Sequence, residues 1–65
     1  MRILLNGEPR EVRATQLAAA LAELGYGEEK VATAVNESFV PAPAREGFAL
    51  GEGDRVEVVA PRQGG

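Results

Sequence analysis

Cysteine and histidine are both absent from this 65-residue chain. That excludes disulfides, thiolate chemistry, imidazole general-base catalysis and the usual zinc ligand sets. Aromatic residues are scarce, with only Tyr26, Phe39 and Phe48 present. Seven Lys and Arg face ten Asp and Glu, for a net charge of −3 and no basic run. A nucleic-acid partner is therefore not expected, because such binding needs clustered cations and stacking rings. Long apolar runs are missing too. The opening Met1-Arg2-Ile3-Leu4-Leu5 is far too short for a signal peptide core or a membrane span. The chain reads as a cytoplasmic protein without a membrane partner, and the glycosylation-like Asn36-Glu37-Ser38 is then a chance match. A domain of this size buries only about 60% of the surface its unfolded chain exposes. It has room for one thin core and no deep cleft.

What is present is a change of period along the chain. Met1, Ile3 and Leu5 alternate with Arg2, Leu4 and Asn6, the period of a strand. Asn6-Gly7 is a strong hairpin signal, since both residues tolerate positive φ. Pro9 is expected to restrict the return strand to about 10–14, with Val12 and Ala14 inward. At Thr15 the period becomes helical: Leu17, Leu21 and Leu24 form one stripe. Thr15 is the expected N-cap. Gly25 is the expected C′ residue, with Tyr26 packing back on Leu21 in a Schellman arrangement. Residues 31–36 form a second strand-like run whose buried side the pattern leaves undecided. Glu37-Ser38 is read as a tight turn into Phe39-Val40, and 41–47, with its two prolines, as an extended loop. Phe48 and Leu50 anchor the far end of that loop, a turn follows at 51–54, and 55–60 is the last strand. Strand, strand, helix, strand, short strand, strand is an α+β order. It predicts a β-grasp: a mixed sheet of four to five strands on one main helix, spanning 1–60, with a mobile tail at 61–65.

Little in this body promises catalysis. Glu28-Glu29 and the Glu52/Asp54 pair fall in expected turns, where solvated carboxylates lack the burial that raises a pKa. Asp54 has a better role in accepting backbone N–H groups within its turn. Gly51-Glu52-Gly53 is a fragment of a dinucleotide fingerprint, but a strand follows where a helix is required. No spacing resembles a calcium loop, so no metal site is expected.

The tail is more informative. Gly64-Gly65 follows a strand that Pro61 terminates. At ordinary glycine usage two terminal glycines arise by chance in roughly one chain in two hundred. Five extended residues reach at most about 17 Å beyond the body. Without Cβ atoms the last two can thread a narrow channel in another protein. The group delivered is the Gly65 carboxylate, a poor acyl donor until its oxygen becomes a leaving group. Reaction at the α-phosphate of ATP gives an acyl adenylate that a sulfur or amine nucleophile can attack. With no nucleotide site in this chain, a partner must perform that activation, and the chain is a co-substrate with no bound cofactor.

The residues also resemble a known family. MRILLNGEP (1–9), VATAVNESFVP (31–41), LGEGDRVEVV (50–59) and the final Gly-Gly together resemble the ThiS family, the sulfur carrier proteins of thiamine biosynthesis. The resemblance covers nearly the whole chain and implies a ubiquitin-like β-grasp. It further implies that the Gly65 carboxylate is adenylated by a ThiF-type enzyme with ATP and converted to a thiocarboxylate. The sulfur comes from a donor such as a cysteine desulfurase and passes to a ThiG-type thiazole synthase. Gly64 and Gly65 match the reactive tail, and no other position takes a role from the match.

Alternation suggests a docking face. Leu4 and Val59 lie on the expected outward side of neighbouring strands, where they form either a docking patch or two ordinary exposed apolar residues. Arg62 is either a steering charge for the tail or a solubilising one. Two further readings share the tail: a molybdopterin synthase small-subunit-like carrier, and a ubiquitin-like modifier whose Gly65 forms an isopeptide bond. A third, an interaction domain indifferent to its Gly-Gly end, differs in class.

Overall fold

The computed structural model describes residues 1–27 and 30–60. Five strands form one sheet: β1 (Arg2–Leu5), β2 (Glu8–Glu11), β3 (Ala32–Val35), β4 (Ser38–Val40) and β5 (Arg55–Val59). Helix α1 (Leu17–Glu23) lies between β2 and β3 in the chain, and the short α2 (Ala42–Arg45) between β4 and β5. The strand order is β2-β1-β5-β3-β4. β1 and β5 run parallel, and every other pair is antiparallel. This is the expected mixed sheet on one main helix. Among the described residues no helix is long and apolar enough to cross a membrane.

Asn6 and Gly7 take φ of 49° and 87°, the left-handed pair that lets a two-residue turn match the twist of its strands. Pro9 does not limit the return strand to 10–14, contrary to expectation. It pairs with Leu4 inside the strand, and β2 runs over Glu8–Glu11. An edge strand accommodates proline because the missing N–H falls on the solvent side. Asn36 and Glu37 repeat the left-handed turn, with φ of 50° and 74°. The second turn therefore sits one residue earlier than expected, and Ser38 belongs to β4.

Helix α1 buries Leu17, Ala20 and Leu21. Leu24 is partly buried against the same core. Its end is the expected Schellman motif: Tyr26 N–H donates to the Leu21 carbonyl at 2.8 Å and Gly25 N–H to Ala22 at 3.1 Å. Its start differs. Gln16, not Thr15, is the N-cap, with no side-chain capping bond. The free N–H of Leu17 donates instead to the Phe48 carbonyl at 2.8 Å, and Leu50 N–H to Thr15 at 2.9 Å. A non-local backbone pairing does the work of a cap. The Gln16 side chain accepts from Gly47 N–H at 2.8 Å.

The stretch after β4 is also a correction. Residues 42–45 form α2 and not an extended loop. Pro41 is its N-cap and Pro43 falls in its first turn, where a helix leaves N–H groups unpaired and proline forfeits nothing. The core comprises the inward side of the sheet (Ile3, Leu5, Val35, Val40, Val56 and Val58) closed by Leu17, Leu21 and Leu50. Thr33 and Val35 settle which side of β3 is buried.

Candidate functional site

Everything that bears on the tail converges on β5. This strand is central, paired with β3 along Val56–Val59 and with β1 at Arg55 and Val56, and its end is the root of the tail. Val59 is its last residue, opposite Ala32 of β3. Residues 61–65, and with them Arg62, Gly64 and Gly65, lie outside the described residues, as do Glu28 and Glu29.

The sheet face turned away from α1 carries the apolar surface nearest that root. Val59 is 62% exposed and Phe39 69%. Ala34 faces Phe39 on one side and Glu57 on the other. The short side chains of Ala32 and Ala34 leave a trough between Phe39 and Val59, an open depression of about 250 Å³ also bordered by Asn6 and Glu57. Phe39 is the docking candidate that sequence reasoning missed. The signal was the alternation of small Ala32 and Ala34 with bulkier Val31, Thr33 and Val35, which marks the outward side of β3.

Leu4 lies elsewhere on the sheet. It is partly buried and faces Pro9 on β2 and Arg55 on β5. Val59 is four residues beyond Arg55, about 13 Å along the strand, and Arg55 and Glu57 intervene. The structure does not bring Leu4 and Val59 together. Val59 groups with Phe39 and the two alanines.

The turn before β5 is built as expected. Asp54 Oδ2 accepts from Gly51 N–H at 2.7 Å. Its other oxygen accepts from Asn36 Nδ2 at 3.1 Å. Glu52 Oε1 accepts from Arg2 N–H at 3.2 Å. These carboxylates are committed to backbone and turn contacts.

The ThiS family model matches residues 3–65. The chain belongs to the ThiS family. The sulfur carrier protein ThiS of Thermus thermophilus is 40% identical over 63 residues, which are 97% of this chain and 98% of that one. A thiazole synthase of Paramagnetospirillum magneticum is 38% identical over 61 residues, 92% of this chain. The chain spans only 19% of that synthase's length. The crystal structure of the thiamine biosynthesis protein ThiS from Geobacter metallireducens superposes with a TM-score of 0.83 at 23% identity, over all of both chains. That likeness shows the β-grasp fold. As a member of the ThiS family the chain is a sulfur carrier of thiamine biosynthesis, the one of the readings left open by its residues that these relatives support.

Proposed function

We propose that residues 1–60 are an inert handle and that the Gly65 carboxylate at the end of 61–65 is the group that carries sulfur. The observation that carries this reading is the extent of the family match, which runs through Gly64 and Gly65. In the first step a carboxylate oxygen of Gly65 attacks the α-phosphorus of ATP. The new P–O bond forms as the bond to the β-phosphate oxygen breaks, and pyrophosphate leaves. A ThiF-type enzyme supplies the nucleotide site. A sulfur nucleophile from a donor such as a cysteine desulfurase then attacks the acyl carbon and AMP departs. Where the sulfur arrives as a persulfide, a thiol reductant releases the thiocarboxylate.

The acceptor in this reading is a ThiG-type thiazole synthase. It is supported by the Paramagnetospirillum protein, in which a segment resembling 92% of this chain lies inside a polypeptide named thiazole synthase. Gly64 gives the tail a side-chain-free approach to both enzymes. Arg62 steers it by pairing with a partner carboxylate. The trough between Phe39 and Val59 adjoins the root of the tail, so a partner that threads the tail meets this face first. Of the docking pair that alternation suggests, Leu4 and Val59, it is Val59 that borders the trough. The cytoplasm is the compartment this reading takes.

Intact-mass measurement tests the proposal. After incubation with ATP and a ThiF-type enzyme, the chain should gain the mass of an adenylate. On adding a sulfur donor it should instead show exchange of one oxygen for sulfur. A chain whose mass never changes would remove the carrier chemistry. High-mass conjugates would favour the modifier reading.

A further inference from the structure

Consecutive residues of β5 turn their backbone polar groups to opposite neighbours. The carbonyls of Asp54 and Val56 accept from Leu4 and Asn6 N–H on the β1 side, both at 2.9 Å. The carbonyl of Arg55 accepts from Asn36 N–H at 2.8 Å on the β3 side. The next residue to face β1 is Val58, but β1 has already turned away at Asn6-Gly7 with φ of 49° and 87°. β1 itself offers no further backbone to pair with it. The Asn6 carboxamide takes that place. Val58 N–H donates to Asn6 Oδ1 at 2.9 Å, and Asn6 Nδ2 donates to the Val58 carbonyl at 3.2 Å. One side chain thus reproduces the two bonds that a longer β1 would have made.

We propose that Asn6 is a positioning residue for the tail. It holds the last β1-facing residue of β5, so that the end of the strand, from which the tail continues, is fixed in place and direction. The inference rests on the carrier reading above. A threaded carboxylate reacts only when its oxygen sits close to the α-phosphorus, and small displacements of a reacting group cost large factors in rate. Without Asn6, Val58 keeps neither of its β1-side bonds, and the end of β5 is held only from the β3 side.

A second clamp provides the control. Asn36, also at positive φ, grips the other end of β5: Arg55 N–H donates to Asn36 Oδ1 at 3.0 Å. Asn6→Gly and Asn36→Gly each keep the left-handed turn, because glycine accepts positive φ, while removing a carboxamide from β5. Asn6→Asp keeps the shape and the acceptor but loses the donor.

Each chain is assayed with a ThiF-type enzyme and ATP for adenylate formation, and by amide hydrogen exchange. In Asn6→Gly, exchange at Val58 should rise about fivefold or more, the effect of losing one net hydrogen bond, while Ile3 and Val35 stay protected. Its kcat should fall about tenfold with KM within about twofold, and Asn6→Asp should fall between it and the unaltered chain. Asn36→Gly should speed exchange at Arg55 and leave kcat alone. Equal loss of kcat in Asn6→Gly and Asn36→Gly would reduce Asn6 to a stability contact and overturn the proposal. So would a raised KM with unchanged kcat, which would make Asn6 a partner contact, or loosened Val58 exchange with unaltered charging. An unaltered chain that is never charged would remove the carrier reading and the positioning role together, whereas equal charging of all variants removes the positioning role alone.

Discussion

Arg45 and Thr33 are joined through a buried hydroxyl: the Arg45 Nε–H donates to Thr33 Oγ1 at 3.0 Å. That hydroxyl in turn donates to the Val40 carbonyl at 2.8 Å, and the guanidinium also donates to the Val31 carbonyl. Thr33 is only 2% exposed, so both of its bonds are needed. Through it, α2 is tied to β3 and β4 beneath the trough.

Thr33→Val should therefore destabilise the fold by about 1–3 kcal/mol, because it strips a partner from Arg45 and from the Val40 carbonyl at once. Arg45→Met should cost less, about 1 kcal/mol, since Thr33 keeps its bond to Val40. Urea denaturation of both single variants and the double variant checks this. The double variant should lose less than the sum, as members of one network do.

The outward face should behave in the opposite way. Phe39→Ser with Val59→Ser leaves the core untouched, so stability should stay within about 0.5 kcal/mol per substitution. Affinity for a ThiF-type enzyme should drop at least about tenfold if these two are central contacts. Calorimetric titration measures it. Leu4→Ala with Val59→Ala is the companion pair. Val59 should account for its binding loss and half-buried Leu4 for a loss of stability. Undiminished affinity in both pairs would remove docking from this face.

Gly25 offers a purely conformational test. Its φ is +99°, and a Cβ built there meets nothing within 4 Å. Gly25→Ala should cost about 1–2 kcal/mol through backbone strain alone. For a domain of this size each kcal/mol lowers Tm by about 4–8 °C, which calorimetry resolves. An unchanged Tm would mean the Schellman end of α1 contributes nothing.

Deleting Gly65 should leave Tm unaltered and abolish adenylate formation. Growth of a thiamine-requiring strain complemented by the deleted chain would contradict the assignment of sulfur to that residue.

Legibility in the sequence followed the range of the interaction. Asn6-Gly7 and Gly25-Tyr26 announced a hairpin and a helix end because the chemistry is contained in adjacent residues. The β-grasp order was readable for the same reason, as a succession of periods. Pro9 was misleading because proline's effect depends on whether its strand is an edge, which only the assembled sheet decides. Thr15 lost the N-cap to a backbone pairing with residues 48–50, more than thirty positions away. The short α2 was hidden by its prolines, whose helix-breaking reputation does not apply in a first turn. Of the site, the tail glycines stood out in the sequence. Phe39 did not, since its exposure depends on which side of β3 the helix covers.

The parallel pairing of β1 with β5 has a mechanical corollary. In the proposed cycle an enzyme that draws the tail into a channel would pull along β5, and the hydrogen bonds to β1 and β3 oppose its sliding. Bonds loaded lengthwise in this way share the strain and must break together, whereas an edge strand would peel away one bond after another. Under the proposed carrier reading the tail therefore springs from a strand held between β1 and β3 and not from an edge.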